Sequence, residues 1–191
     1  DPRSRAAAAR ELAAAIADAG VPTLLVTHDF AEAAQLGDRV AVIDAGRVVQ
    51  EGTAEELAAA PAAAFVADFS GAVVLHGHAR TGDDGLTFVA LDGGGEATST
   101  ARATGPVSVS VFPWEIELAP PGSAREGSSR NHVAARVTTV TVLGSRVRVG
   151  LASPQPLVAE LSAPSARALA LAPGVEVVAS WKAAATRVVP R

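Results

Sequence analysis

Residues 133–151 read VAARVTTVTVLGSRVRVGL, and this stretch decides how the second half of the chain folds. Val133–Leu143 and Arg146–Leu151 are rich in the β-branched residues that favour strands, and a glycine lies between them. Further short β-rich runs alternate with Gly, Asp and Pro turns: Ala72–Leu75, Leu86–Leu91, Ala97–Ala103, Val107–Phe112, Leu157–Leu161, Val175–Trp181 and Arg187–Val189. About five short strands in each of two units are typical of small barrels, so we predict OB-like β-barrels here.

The first 70 residues have a different pattern, in which predicted helices and strands alternate. Arg5–Ala19 places Leu12 and Ile16 four residues apart, which is a helical spacing. Thr23–Thr27 is a short apolar run typical of a buried parallel strand. The elements that follow are a short helix with Asp29 as its candidate N-cap, a strand–turn–strand over 39–50, and a helix opened by Thr53.

Changes in composition divide the chain into four segments. Residues 1–70 form the α/β part, 71–119 a first β-barrel unit, 120–130 a polar and turn-rich linker, and 131–191 a second β-barrel unit. The predicted fold class is therefore an α/β fragment followed by an all-β part. The two β units have similar lengths, which suggests an internal duplication.

The composition excludes several classes of site. The chain has no cysteine, which rules out disulfide scaffolds, thiolate zinc sites and a cysteine nucleophile. Its only lysine is Lys182, which Ala183 follows, whereas a phosphate-binding P-loop needs Gly-Lys followed by Ser or Thr. A net charge of −4 and a pI near 5.6 indicate no basic face, so we expect no nucleic-acid partner. Because residue 1 is Asp, we expect a fragment or a processed piece.

His28 follows the predicted buried strand, and open α/β sheets bind ligands at the carboxyl ends of such strands. From position alone, a histidine that packs or caps locally is the alternative interpretation. Thr27-His28-Asp29 with Glu32-Ala33, and then Asp38–Gly52, resemble the histidine switch and the following strand–turn–strand of ABC-transporter ATPase domains. This resemblance covers residues 1–70 and favours a functional histidine.

The resemblance implies roles for two residues. In ABC ATPase domains the switch histidine contacts the γ-phosphate of ATP, which is bound with Mg²⁺, and this implies the same catalytic role for His28 in an intact domain. Asp1 resembles the last residue of the D-loop, which implies a position beside the nucleotide. The sequence contains no P-loop, glutamine loop, signature motif or Walker B acidic pair. We therefore expect the chain alone to be inactive, although the parent protein would be an ATPase coupled to transport.

A second set of candidate residues lies around the last β unit. Ser128 and Arg130 precede its first strand, Ser162 and Ser165 lie at a predicted helix start, and Lys182 follows a strand. Arginine offers a fork of donors, lysine a compact charge and serine a neutral donor, a combination that suits a tetrahedral oxyanion. From spacing alone, ordinary turn and capping residues remain the alternative.

Three motifs favour the oxyanion interpretation: Ser128-x-Arg130-Asn131, Ser162-x-x-Ser165 and Trp181-Lys182-Ala183. They resemble the Ser-x-Arg-Asn, Thr/Ser-x-x-Ser and Ile-Lys-Ala motifs of the barrel of molybdate-binding proteins, which is appended as a TOBE domain to molybdate-importer ATPases. Ser162 stands in place of Thr and Trp181 in place of an aliphatic residue. The resemblance covers residues 124–191. It implies molybdate or tungstate, bound between the barrels of a homodimer by Ser128, Arg130, Asn131, Ser162, Ser165 and Lys182.

We assign no ligand to two further features of the sequence, the first β-barrel unit and a pair of histidines. Residues 71–119 resemble the companion barrel more weakly, through Phe112–Ile116. His76 and His78 share one face of a predicted strand, but no third ligand stands close in sequence, so we assign no metal site.

Together the resemblances imply the C-terminal part of the ATP-binding subunit of an ABC importer, of molybdate type, with a regulatory and dimerising module. Such a subunit is cytoplasmic and peripheral on the inner face of the plasma membrane, where it pairs with transmembrane permease subunits. Two alternatives stay open. In one, the module is purely structural in an importer of another solute, such as sugar, iron or phosphate. In the other, the chain is an oxyanion-storage or sensing protein.

The first testable prediction concerns catalysis. We expect the purified chain to hydrolyse no ATP above background, because its only lysine is misplaced for binding phosphate. Steady-state phosphate release is the measurement. Release that disappears in His28→Ala would contradict the prediction.

Overall fold

The computed structural model describes residues 2–123 and 128–191, and for residues 2–6 and 9 it describes the backbone alone. The chain divides into two compact units, Asp1–Ala62 and Ala63–Arg191. The role implied for Asp1 lies outside the described residues. In the part of the chain that the structure describes, every helix is too short or too polar to span a membrane.

The first unit combines helices with a β-hairpin. Its elements are α1 (Pro2–Ala19), α2 (Phe30–Leu36), β1 (Val40–Asp44), β2 (Arg47–Gly52) and α3 (Ala54–Ala59). Gly20, with a φ of 61°, ends α1 in the left-handed conformation that glycine adopts freely. Asp29 caps α2 by accepting two backbone N–H groups of its first turn, and Thr53 forms a capping box with Glu56. These local predictions are confirmed.

The parallel strand predicted over Thr23–Thr27 does not form. These residues lie in no strand, and Leu24 and Val26 are 92% and 89% exposed. A buried parallel strand needs partner strands on both edges and cover on both faces. The sheet described in this unit is the β1–β2 hairpin, which does not pair with this run. The prediction was wrong because an apolar run forms a buried strand only where neighbouring strands pair with it, and the described part of this unit offers it no such strand.

The second unit consists mainly of strands. These are β3 (Val73–Thr81), β4 (Thr87–Leu91), β5 (Glu96–Ser99), β6 (Gly105–Val111), β7 (Glu117–Ala119), β8 (Asn131–Leu143), β9 (Arg146–Ala152), β10 (Leu157–Ser162), β11 (Glu176–Trp181) and β12 (Arg187–Pro190). Two short helices, α4 (Ala64–Phe69) and α5 (Ala163–Ala168), accompany them. One-turn 3₁₀ helices at Pro113–Glu115 and Ala183–Ala185 follow β6 and β11.

The strands form two five-stranded antiparallel sheets, ordered β5-β4-β3-β6-β12 and β10-β9-β8-β11-β7. Both sheets have the same topology, because the first four strands of each half follow equivalent paths. The fifth strand of each half is exchanged, so that β7 pairs with β11 and β12 pairs with β6. The sheets therefore do not coincide with contiguous stretches of sequence, and their shared topology is what an internal duplication would leave.

The second unit has one apolar core, to which strands of both of its sheets contribute. It consists mainly of Val, Leu and Ala, with Ile116 and Trp181 as its largest other members. On β9 the alternation is strict, since Val147, Val149 and Leu151 are buried and the residues between them are not. Burying one Val or Leu side chain fully contributes about 1.5–3 kcal/mol. Because the chain has few aromatic residues, its core depends on many such aliphatic side chains.

The contrast between the two units generates the second prediction. Backbone amides of 24–26 should exchange with solvent far faster than those of Val177–Ala179, which lie in β11 between β8 and β7. Hydrogen–deuterium exchange on dilute protein measures the difference. Equal protection of the two segments would contradict the prediction, because it would show that the backbone of Thr23–Thr27 is hydrogen-bonded to another strand.

Candidate functional site

Arg130 and Lys182 lie at one end of the second sheet, where each flanks one of two neighbouring strands. Asn131, the first residue of β8, pairs with Trp181, the last residue of β11. Arg130 directly precedes Asn131 and Lys182 directly follows Trp181, so the antiparallel register brings the two cationic residues next to each other. Both are exposed. We call these two residues the cation pair.

A buried hydrogen-bond network fixes the backbone beneath the cation pair. Asn131 is 1% exposed, and its Nδ2 donates to Thr186 Oγ1 at 2.9 Å. The Trp181 indole Nε1 donates to the same hydroxyl at 3.1 Å, and that hydroxyl donates to the Lys182 carbonyl at 3.1 Å. Trp181 is fully buried in the core, so this large side chain takes no space on the surface beside Lys182.

The same network reaches the first sheet through β5. Asn131 Nδ2 also donates to the Thr98 carbonyl at 3.1 Å, while its Oδ1 accepts the Thr98 N–H. Beyond Thr98, the Thr100 N–H donates to the Ala183 carbonyl at 3.3 Å. The end of β5 is therefore held against the turn that begins at Lys182.

The cation pair forms no ion pair with any described residue. Most other cations of the second unit do, in the pairs Arg80–Glu96, Arg136–Glu176, Arg146–Glu160, Arg148–Glu160, Arg187–Glu115 and Arg191–Asp92. Two neighbouring positive charges without a bonded carboxylate repel each other and attract an anion. This end of the second sheet can therefore bind a small anion.

Ser162 and Ser165 lie at the opposite end of the same sheet. Ser162 pairs with Arg146, which pairs with Leu143, twelve residues along β8 from Asn131. The Ser162 Oγ accepts the Ser165 N–H as the N-cap of α5, and the two hydroxyl oxygens lie 2.8 Å apart. One chain alone therefore does not bring these hydroxyls to the cation pair.

The other two predicted ligands differ from each other. Ser128 is exposed and lies two residues before Arg130, on the segment that enters β8. Asn131 uses both amide hydrogens and its carbonyl oxygen within the protein. Its side chain has no donor left for a ligand, so Asn131 acts as a bridge within the protein, and its ligand role stays a prediction.

The equivalent turn of the first sheet has no exposed, unpaired cation. Phe112, like Lys182, follows the fourth strand of its half and precedes a 3₁₀ helix. Its ring stacks on Trp114 with centroids 4.4 Å apart, and Arg187 lies 4.9 Å from its centroid. Arg187 also donates to Glu115 at 2.9 Å, which neutralises its charge. No ligand is assigned to this turn.

The remaining histidines give no second site. His28 is exposed, and its ring makes no hydrogen bond to any described residue, so its switch role stays a prediction. The His76 Nδ1 lies 3.1 Å from Ser108 Oγ, and His78 is exposed. Among the described residues, no cluster of three or more His, Asp or Glu is placed to hold a metal ion.

Residues 127–188 match the family model described as "TOBE domain". This part of the chain is a TOBE domain.

The chain is 37% identical over 156 residues to the sulfate/thiosulfate import ATP-binding protein CysA of Burkholderia mallei, covering 81% of this chain and 42% of the relative. It is 38% identical over 148 residues to the Fe(3+) ions import ATP-binding protein FbpC 1 of Rhodococcus jostii, covering 77% and 39%. The predicted resemblance to ABC importer ATP-binding subunits is confirmed, and the chain spans about two fifths of these relatives.

Among solved structures, the cytoplasmic molybdate-binding protein ModG with molybdate bound matches with a TM-score of 0.60. The match has 20% sequence identity and covers 64% of this chain and 98% of ModG. At that identity the similarity concerns the fold alone. It confirms the predicted OB-like, all-β class for the part that contains the TOBE domain.

Sequence reasoning missed several residues that shape the TOBE domain's cation end. Thr98 and Thr186 are buried partners of Asn131, and no motif contains them. His132 lies one residue beyond the Ser-x-Arg-Asn motif, and its Nε2 lies 2.9 Å from the Ser129 carbonyl, which anchors the segment that carries Arg130. The available signal was weak: Thr98 is a polar residue within a predicted strand, and Thr186 lies in a short connection.

The third prediction tests the network. Asn131→Leu removes the bridging amide and leaves the Thr98 N–H and carbonyl without that partner, so we expect the free energy of unfolding to fall by at least about 2 kcal/mol. Urea unfolding followed by tryptophan fluorescence measures it, since both tryptophans lie in the second unit. Thr141→Val, at an exposed β8 position, is the control and should change the value by less than ~0.5 kcal/mol. Equal values for the two variants would refute the bridging role.

Proposed function

We propose that the chain is the C-terminal portion of the ATP-binding subunit of an ABC importer, and that its TOBE domain binds a divalent tetrahedral oxyanion, molybdate or tungstate. The importer assignment is supported by similarity to import ATP-binding proteins over 81% of the chain. One observation carries the oxyanion assignment: Arg130 and Lys182 are adjacent, exposed and without an ion-pair partner among the described residues.

The chemistry of the cation pair suits such an anion. The guanidinium of Arg130 offers parallel donors to two oxygens of a tetrahedral anion, while the Lys182 ammonium offers a compact charge to a third. The buried network fixes the Lys182 backbone, so the ordering that opposes binding is confined to the exposed side chains. Ser128, on the segment entering β8, is the neutral donor of the Ser-x-Arg-Asn motif. Ser162 and Ser165 would reach this site only from a second copy of the chain, which is how the homodimer enters the proposal.

In the importer, nucleotide chemistry would rest mainly on residues that this sequence does not contain. No loop of this chain fits the phosphates of ATP with Mg²⁺, because its only lysine lies in the cation pair. His28 is the one predicted contact to the γ-phosphate. Its exposed position after Thr27 leaves the imidazole free to meet a nucleotide held by the P-loop of an intact subunit.

The TOBE domain would regulate this activity. Oxyanion bound at the cation pair would bias a dimer of ATP-binding subunits and so report the internal solute level. This coupling requires that the anion bind two states of the dimer with different affinity. The subunit would act in the cytoplasm, peripheral on the inner face of the plasma membrane, with transmembrane permease subunits as partners.

A second candidate function is favoured by the relatives, which import sulfate or thiosulfate in one case and Fe(3+) in the other. The chain would then belong to an importer of another solute, and its TOBE domain would be structural. Oxyanion storage or sensing without transport is the remaining alternative, and similarity to import ATP-binding proteins argues against it.

The fourth prediction tests the oxyanion site. Molybdate and tungstate should bind the wild-type chain, and Lys182→Ala should weaken binding by roughly tenfold to more than a hundredfold, because a charged hydrogen bond contributes about 1.5–3 kcal/mol. Arg130→Lys should also weaken it, since an ammonium cannot reproduce the guanidinium fork. Isothermal titration calorimetry with molybdate, tungstate and sulfate measures each affinity.

Arg136→Gln is the matched control, because it removes one positive charge from an exposed pair with Glu176 away from the site. Its affinity should equal that of the wild type. If no anion binds, or if all variants bind equally, the TOBE domain is structural. Preference for sulfate over molybdate would assign the site to the chemistry of the sulfate importers.

A further inference from the structure

We propose that Arg102 completes the oxyanion site from within the same chain, as a third cation beside Arg130 and Lys182. The inference rests on the proposed function, since it adds a ligand residue to that site. Arg102 belongs to no motif found in the sequence. It lies on the segment that follows β5. The strand β5 belongs to the first sheet, whereas the cation pair lies at the end of the second sheet.

Hydrogen bonds hold the segment that carries Arg102 against the cation pair. The Asn131 amide bonds both backbone groups of Thr98. Two residues further on, the Thr100 N–H donates to the carbonyl of Ala183 at 3.3 Å. The chain leaving β5 therefore lies against both β8 and the turn after β11.

These bonds bring the three cations close together. Arg130 directly precedes Asn131, which is bonded to Thr98, and Lys182 directly precedes Ala183, which is bonded to Thr100. Arg102 follows Thr100 by two residues, a chain length of at most about 7 Å. Each cation thus lies within two residues of a hydrogen bond that joins β5 or its following segment to β8 or to the turn after β11. Arginine and lysine side chains are long enough to span such a separation.

The topology explains why a ligand residue belongs at this position. Ser99 is the last residue of β5, as Ser162 is of β10, and the two strands are equivalent in the duplicated topology. The Ser99 Oγ accepts the N–H of the second residue after it, and the Ser162 Oγ accepts that of the third, which is Ser165. Counted from the end of the strand, Arg102 stands where Ser165 stands, so Ser99-x-x-Arg102 has a cation in place of a hydroxyl.

The packing of the two strand ends places this equivalent next to the cation pair. β5 packs against the 3₁₀ helix Ala183–Ala185, which follows Lys182, whereas β10 packs against Pro113–Glu115, which follows Phe112. Each strand end thus meets the turn of the other half of the chain. The segment that carries Arg102 therefore leaves β5 next to the turn that begins at Lys182.

The charge pattern supports a ligand role rather than a structural one. Arg102 is exposed and forms no ion pair with a described residue. Arg167 is the other cation of this kind in the described part of the second unit, but it lies on α5, with Ser165 at the opposite end of the sheet. Three unpaired cations around one point repel each other, and a dianion with four oxygens relieves that repulsion while accepting their hydrogen bonds.

Calorimetry with sodium molybdate on the full chain tests the proposal. Arg102→Gln should weaken binding tenfold or more, and Arg102→Lys should restore part of the loss, because it keeps the charge without the fork. Arg136→Gln is the control, since it removes an exposed charge that is paired with Glu176 away from the site, and its affinity should equal that of the wild type. Lys182→Ala reports on the site itself.

The outcomes separate this inference from the proposed function. If Lys182→Ala weakens binding but Arg102→Gln does not, the inference is overturned and the proposed function stands. If Ser165→Ala weakens binding while Arg102→Gln does not, a second copy completes the site, and the inference is again overturned. If the wild type binds no molybdate, the proposed function fails and this inference fails with it.

A mixing experiment tests whether Arg102 acts in its own chain. An equimolar mixture of Arg102→Gln and Lys182→Ala, unfolded and refolded together, contains no chain with both residues. We expect this mixture to bind no better than the two variants measured separately. Recovery of about a quarter of the wild-type sites, the share that random pairing in dimers gives, would place the two residues on different chains and overturn the inference.

Discussion

The amide side chain of Asn131 is the interaction on which the second unit depends. It is buried, and each of its donors and its acceptor has a partner: Thr186 on one side and both backbone groups of Thr98 on the other. A buried polar group that is fully satisfied costs little and permits one arrangement, whereas any shift of β5 against β8 would leave several groups unpaired. The network therefore specifies how the two sheets meet, and the cation pair lies directly outside it.

A second polar bridge and the exchanged strands support the same arrangement. The Gln155 side chain, on the segment between β9 and β10, bonds both backbone groups of His76 at 2.8 Å and the Asp92 carbonyl at 3.0 Å. It thus continues the hydrogen bonding of β3 beyond the point where β4 ends. With β7 and β12 each paired in the sheet of the other half, neither half can leave without breaking a strand ladder. The geometry of the cation end is thus a property of the whole unit.

The sequence predicted this molecule well where the causes are local. Gly20, Asp29 and Thr53 act on their own helix ends, and their roles follow from residue type. It failed at Thr23–Thr27, because a strand depends on neighbours that the run itself does not specify. The candidate site lies between these cases. The motifs identified Arg130 and Lys182, but the strand register makes them neighbours, and the hydrogen bonds of Asn131 and Thr100 hold the end of β5 beside them.

Comparison of the two equivalent turns explains why an anion site would occur once in a duplicated fold. At Lys182 the network lies inside, and the charge outside has no partner. At Phe112 the ring lies against Trp114 and Arg187, and Glu115 neutralises the arginine. An ion pair whose side chains are each only 23% exposed resists displacement by a free anion, because its charges are already balanced and hydrogen-bonded. The charges of the first turn are therefore balanced, while the second turn keeps an unbalanced positive charge. Under the proposed function, an anion that binds there would stabilise the folded chain and so couple folding to the ligand.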